Sequence, residues 1–264
     1  MKIDLSGKLA VISGSSTGIG LAIAEGLAKA GASVTITGRK ENQLFEAVEL
    51  IQSSAPQVEV KSVTADLATL EGVEILTQST PETDILINNL GIYDFKSFGE
   101  YTDEEWEKYF QVNIMTGVRL TRYYLPKMLE KNWGRIVFIS SESALKVPPD
   151  MIPYAMTKTA QLTIARGLAE SVAGTGITVN SVMPGPTRSQ GLIERFQKRA
   201  EQEGKTLEEI EREFMAKERP DSLIKRLLNP EEIASLVTYL CSEQSSGTTG
   251  APLRVEGGLI NTIA

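Results

Sequence analysis

Tyr154 and Lys158, in the segment Tyr154-Ala155-Met156-Thr157-Lys158, lie four residues apart in a stretch whose pattern predicts a helix over about 152–173. An i, i+4 spacing puts both side chains on one helix face. A phenol alone is a weak acid, with an ordinary pKa near ~10. An ammonium beside it favours the phenolate, which makes tyrosine usable for proton transfer at neutral pH. The pair equally fits a tyrosine packed along a lysine stem, and the spacing leaves both readings open. The 264-residue chain contains no histidine and one cysteine. A Ser-His-Asp triad, a Cys-His pair and a histidine-bound zinc are thereby excluded, as are an intrachain disulfide and a thiolate cluster. Any general acid or base must be Tyr, Lys, Asp or Glu, and no metal site is expected.

The second constellation is Ser13-Gly14-Ser15-Ser16-Thr17-Gly18-Ile19-Gly20, set between a short apolar run at 8–13 and a helix-patterned stretch at 18–30. Glycines allow a sharp turn and close approach of a ligand to the backbone. Amides at a helix start bind anions. The loop therefore reads as a pyrophosphate cradle, with a tight structural turn as the alternative. Its spacing is G-x-x-x-G-x-G rather than G-x-G-x-x-G, and no Lys-Ser/Thr follows, unlike a nucleoside-triphosphate loop. At the end of the next strand Gly38 forms the tip and Arg39-Lys40 follow. An acid there would accept from a ribose 2′-hydroxyl and repel a 2′-phosphate. A cation beside a glycine favours the phosphate, so NADP(H) is the expected cofactor, with NAD(H) possible. Arg39 is the expected contact and Ser15 an added hydroxyl; a surface basic pair is the alternative.

These groups need a frame. Runs at 8–13, 33–37, 58–63, 84–88, 134–140, 176–182 and 251–255 read as strands separated by helical patterns. Largely apolar strands alternating with helices imply an α/β fold. The expectation is one domain over 1–264, a doubly wound seven-stranded parallel sheet of Rossmann-like form with helices on both faces. Thr102-Asp103-Glu104-Glu105 is a capping box that starts a helix, expected to bend and resume through 112–131. Asn229-Pro230-Glu231-Glu232 starts another that runs to about 242. Residues 189–228 break the rhythm with eighteen charges in forty positions, nine of each sign. They read as a helical insertion before the last helix–strand unit, serving as a substrate lid or as a solvated structural element.

The chain resembles the short-chain dehydrogenase/reductase family in its compact single-domain form. The matching residues are Ser13-Gly14 through Gly20, Asp66-Leu67, Asn88-Asn89-Leu90-Gly91, Asn113, Ser140-Ser141, Tyr154 with Lys158, and Pro184-Gly185-Pro186-Thr187. They span nearly the whole chain in the family's order. The resemblance implies that Gly14, Gly18, Ile19 and Gly20 line the pyrophosphate, that Asp66 and Leu67 hold the adenine, and that Asn89 and Gly91 flank the cofactor. It implies a catalytic set of Asn113, Ser141, Tyr154 and Lys158. Tyr154 would be the acid in reduction and the base in oxidation, and Lys158 would bind the nicotinamide ribose. Ser141 would polarise the substrate oxygen, and is preferred to Ser140 because it lies 13 residues before Tyr154, the family's usual interval. Asn113 would anchor a water relaying protons through Lys158. Pro184, Gly185 and Thr187 would sit at the nicotinamide. Departures are minor: Ser13 for threonine, Leu90 for alanine and Glu256 for aspartate.

The implied function is interconversion of a carbonyl compound and a secondary alcohol. A dinucleotide-binding regulator or redox sensor is the alternative from another class, and lyase or epimerase work with a tightly held NAD is a third. The pocket is expected to be walled by residues 92–97, 142–153 and the insertion. Glu142 directly follows Ser141 and brings a charge near the site, unless it is a hydrogen-bonded structural acid. The net charge of −7 argues against nucleic acid as a partner. No run reaches the roughly 18–20 apolar residues of a membrane span, and the start lacks signal-peptide character, so a cytoplasmic location is expected. The resemblance further implies a homodimer or homotetramer pairing helices near 103–131 and 152–173, with Leu120, Tyr123, Leu162 and Ile164 as surplus apolar residues.

Overall fold

The structure, a computed structural model, describes residues 3–263. Seven parallel strands form one sheet in the order β3-β2-β1-β4-β5-β6-β7. They are β1 (Leu9–Ile12), β2 (Ser33–Gly38), β3 (Val60–Thr64), β4 (Ile85–Asn88), β5 (Gly134–Ile139), β6 (Ile177–Pro184) and β7 (Pro252–Val255). The chain winds outward from β1 to β3 and then returns to β4 on the other side. A crevice opens where the winding reverses, at the carboxyl ends of β1 and β4. β6 runs two residues beyond the expected Val182, because Met183 and Pro184 pair with Arg254 and Val255 of β7. That extension delivers Gly185 directly to the crevice.

Strand alternation builds two apolar layers. Ile12, Ile36, Ile85 and Ile87 pack against α1 (Gly18–Lys29), α2 (Glu41–Ser54) and α9 (Pro230–Leu240). Val11, Leu86, Ile136 and Phe138 point the other way, toward α3 (Leu70–Ser79), α5 (Thr116–Lys131) and α6 (Ile152–Ser171). Burial of both sheet faces is why the central strands read as apolar runs.

The expected bend is present. α4 (Asp103–Tyr109) starts at the Thr102/Glu105 capping box, and a π-helical turn at Phe110–Met115 joins it to α5. A π-turn loosens the backbone ladder and frees a carbonyl. Here the Asn113 main-chain oxygen is taken by the Gln161 side chain at 2.7 Å.

The insertion forms α7 (Gln190–Glu203) and α8 (Leu207–Glu218). Leu192, Phe196, Ala200, Ile210 and Met215 make a small core between them. The two helices thus largely cover each other, and only Leu192 and Phe214 among their apolar residues line the central pocket. One expectation fails: Leu120 is fully buried in its own core, and the Tyr123 hydroxyl donates to the Thr77 carbonyl at 3.3 Å. Leu120 is thus spent on the sheet and offers nothing to a second copy.

Candidate active site

The crevice begins at the glycine loop. Gly14 and Gly18 have φ of +62° and +60°, which side chains rarely adopt. A Cβ on Gly20 would lie 2.4 Å from the Gly14 carbonyl oxygen, so the loop closes only with glycine there. Asn89 locks the turn from β4, its amide donating to the Ser13 and Gly14 carbonyls at 3.0 and 2.7 Å. Thr17 makes no side-chain cap on α1, and the first turn carries no acid. An uncapped helix start beside the crevice suits a bound anion. The residues present therefore fit a pyrophosphate.

Ser15 corrects the sequence reading. It is fully buried, donating to the Ile12 carbonyl at 2.7 Å and accepting from the Thr37 amide at 2.9 Å. Its hydroxyl ties β1 to β2 and is not free for a ligand. The neighbour Ser16 lies against Gly38, whose Cβ would approach the Ser16 hydroxyl to 3.1 Å. Arg39 is exposed at that same tip. Asp66 is exposed at the end of β3 and accepts from the Ala68 amide at 3.1 Å, while buried Leu67 accepts through its carbonyl from Thr116 at 2.9 Å.

On the far side of β4 a pocket of about 200 Å³ gathers Ile19, Asn89 and Gly91 from the dinucleotide side with Ser141, Tyr154 and Lys158. Pro184, Gly185 and Thr187 close its floor. Thr187 is buried and donates to the Gly185 carbonyl at 2.8 Å. Asn113 lies just outside. Its side chain accepts from the Ile92 amide at 2.8 Å and donates to the Ile92 carbonyl and the Thr157 hydroxyl at 3.0 and 2.9 Å. The two serines part company. Ser140 donates to the Lys158 carbonyl at 2.8 Å and serves the helix, whereas the Ser141 hydroxyl donates to Glu142 at 2.6 Å in the pocket that Tyr154 also lines.

The charges behave differently from the sequence expectation. Tyr154 and Lys158 do share one face of α6, with the lysine Nζ 5.5 Å from the ring centroid. Burial dominates both. It pushes the Tyr154 phenol above its ordinary value, with Ser141 pulling the other way and Glu142 adding to the rise. It also draws Lys158 down to about 7, so the expected ammonium is only partly present at neutral pH. Lys158 Nζ donates to the Ile139 carbonyl at 2.8 Å. A protonated phenol beside a serine hydroxyl can hand a proton to an oxygen that is becoming an alkoxide, a much stronger base than a phenolate.

Comparison with known proteins decides the family. The sequence model of the short chain dehydrogenase family matches residues 8–200. The chain is a short-chain dehydrogenase/reductase. This dehydrogenase is 45% identical to YvaG, an uncharacterized oxidoreductase of Bacillus subtilis, over the full length of both. It is 34% identical to the 3-oxoacyl-[acyl-carrier-protein] reductase FabG of Aquifex aeolicus, over 98% of this chain and all of the other. L-sorbose reductase from Gluconobacter frateurii, solved with NADPH and L-sorbose, superposes with a TM-score of 0.94 at 33% identity, covering both chains fully. The dehydrogenase is an oxidoreductase that acts on CH–OH and C=O groups with NAD(P). Among its described residues no helix is long and apolar enough to cross a membrane, and no cluster of three or more His, Cys, Asp or Glu could hold a metal.

Two pocket groups and one group behind the pocket escaped the sequence reading. Arg219 reaches in from beyond α8, Ser189 caps α7 beside Gly18, and Gln161 sits one turn below Lys158. The charge of Arg219 is lost in a segment full of charges, and Gln161 lies on a helix with no special pattern.

Proposed function

We propose that the enzyme interconverts a carbonyl compound and its secondary alcohol with NADP(H), Tyr154 passing the proton. The observation that carries this reading is the gathering of Ser141, Tyr154 and Lys158 in one pocket that continues into the glycine-loop crevice. Gly14, Gly18, Ile19 and Gly20 would hold the pyrophosphate, Asp66, Leu67, Asn89 and Gly91 the adenosine side, and Pro184, Gly185 and Thr187 the nicotinamide. Lys158 would hold the nicotinamide ribose. The bound dinucleotide supplies or accepts the hydride. Ser141 orients the substrate oxygen, and Tyr154 gives it a proton in reduction or takes one in oxidation. Ser140 and Asn113 act on the frame, holding α6 and the π-turn in place.

The small, partly polar pocket and the likeness to an L-sorbose reductase favour a hydroxylated ketone as substrate. NADPH consumption against a panel of hydroxy ketones, simple ketones and keto-acyl thioesters, with NADH in parallel, tests the reading. Turnover of none of them would point to a binding-only regulator. A homodimer or homotetramer belongs to the same proposal, and a monomer in sedimentation at micromolar concentration would count against it.

NADPH should be preferred over NADH, and Arg39→Ala should narrow the gap by about tenfold or more, the scale of one charge-assisted contact. The Arg39 contribution should weaken with salt because the side chain is exposed. Fluorescence titration of both dinucleotides checks this. Equal affinities in the native enzyme would defeat it.

The insertion is proposed as a lid over the substrate. Arg219 and Asp221 tie its end to the catalytic loop through Glu142 and Lys146. Its remaining charges mostly pair internally, as in Arg199 with Glu203 and Glu213, so it can shift as a unit. Hydrogen exchange over 190–218 should be faster than in β4 and β5 without ligand, and slow when dinucleotide and substrate bind. Equal protection in the ligand-free enzyme would show a fixed element.

A further inference from the structure

Among the described residues, the charged side chains lining the catalytic pocket are Glu142, Lys158 and Arg219. Lys158 is assigned to the nicotinamide ribose, which leaves an acid and a guanidinium. Both also line an adjoining cavity of about 510 Å³, together with Phe95, Leu192 and Phe214 of the catalytic pocket. Glu142 and Arg219 therefore stand where the two spaces meet.

Each side chain is held from behind. The Ser141 hydroxyl accepts from the Ser143 amide at 3.1 Å and starts the short helical turn Glu142–Ala144. The same hydroxyl donates to Glu142 Oε2 at 2.6 Å. That oxygen is occupied, and Oε1 faces Arg219. Arg219 follows α8, where one of its terminal nitrogens donates to the Glu218 carbonyl at 2.8 Å and its guanidinium lies 5.4 Å from the Phe214 ring centroid. The Arg219 Nε is 3.6 Å from Glu142 Oε1, with the two side chains 12% and 7% exposed. At that distance the charges attract but no direct hydrogen bond forms. A largely buried donor and acceptor that attract without bonding each keep a position for a further partner.

The chemistry of that partner follows from the pair. A carboxylate only accepts and a guanidinium only donates. A hydroxyl does both, and one seated about 2.8 Å from each atom would donate to Oε1 and accept from Nε. An alkyl chain offers neither, and an anionic group has no proton to give Glu142.

We propose that Glu142 and Arg219 read a substrate hydroxyl close to the reacting carbonyl, and so set the selectivity of the enzyme for hydroxy ketones over simple ketones. This rests on the carbonyl–alcohol reading given above. The hydroxyl lies close to the carbonyl because Ser141, which orients the substrate oxygen, is itself bonded to Glu142. The adjoining cavity gives a longer polyhydroxylated chain room to run past the pair, toward Lys146, Asp150 and Arg195.

Matched ketones test this: hydroxyacetone with butanone, and erythrulose with its deoxy analogues. In the native enzyme kcat/KM for the hydroxylated member should exceed that of its partner by at least about tenfold, the scale of one charge-assisted hydrogen bond. Arg219→Met removes the donor. Glu142→Gln keeps the volume, but with Ser141 donating to the amide oxygen the amide nitrogen turns toward Arg219, and a hydroxyl there meets two donors. Each variant should bring the ratio toward parity. The isosteric Glu142→Gln keeps the test if Arg219→Met fails to fold. A native ratio near parity would overturn the proposal. So would variants that slow both members alike and leave the ratio intact, the result of a purely structural tie. Turnover confined to ketones without a nearby hydroxyl would also overturn it, while leaving the function reading standing. Reduction of no carbonyl compound at all would overturn the function reading, and this assignment with it.

Discussion

Tyr154→Phe should lower turnover by about 10²–10⁴-fold, the usual worth of a positioned acid or base, while dinucleotide affinity and melting temperature stay near native. Only the hydroxyl is removed. The ring keeps its edge contact with Tyr93, at 5.9 Å between centroids. Ser141, which shares the pocket with it, keeps Glu142 and the Ser143 amide as neighbours. The phenol is also costly to ionise where it sits, since burial raises it, so native reduction should persist into mildly alkaline solution without loss of the Tyr154 proton. Steady-state kinetics with a turned-over substrate, alongside a dinucleotide titration, separates the two effects. A variant that turns over within a few-fold of native would refute the assigned role.

Lys158→Met should reduce turnover by at least about 10²-fold and change stability in a pH-dependent way. In the unfolded chain a lysine titrates near ~10.5. In the folded enzyme burial draws Lys158 down to about 7. Between those values the unfolded chain carries a proton that the folded chain has released, so stability rises with pH across that window. The destabilising effect of the buried lysine is thus fully present below the folded pKa and fades toward ~10.5. Methionine removes it at every pH. It also leaves the Ile139 carbonyl without its donor, a cost that does not vary with pH. The melting temperature of Lys158→Met relative to native should therefore be more favourable at pH 6 than at pH 10, measured without dinucleotide. A pH-independent difference would show that Lys158 is not titrating between folded and unfolded states.

The sheet was readable because its central strands are buried on both faces, which writes apolar runs into the chain. Helix starts were readable where side chains cap them, as at Thr102 and Asn229. Choices between neighbours were harder. Ser15 and Ser16 are chemically alike, and the turn after β1 sends the first inward and leaves the second beside Gly38. Ser140 and Ser141 both line the pocket, and only the interval to Tyr154 pointed to the one whose hydroxyl is not spent on the Lys158 carbonyl. Leu120 looked surplus on a helix wheel, yet the second apolar layer buries it. The electrostatics of Tyr154 and Lys158 were misjudged because a sequence shows which charges are near but not how much water is excluded. Gln161 and Arg219 act through contacts made only on folding, with Asn113 and Glu142, and carry no local signature.

The central claim is that Ser141 and Tyr154 together hold the reacting oxygen. The most direct measurement is a crystal structure of the enzyme with NADP⁺ and an unreactive hydroxy ketone analogue. The predicted result is one substrate oxygen within hydrogen-bond distance of both hydroxyls, with Lys158 contacting the nicotinamide ribose. A substrate oxygen that meets neither hydroxyl, or a dinucleotide lying outside the crevice between β1 and β4, would contradict the account.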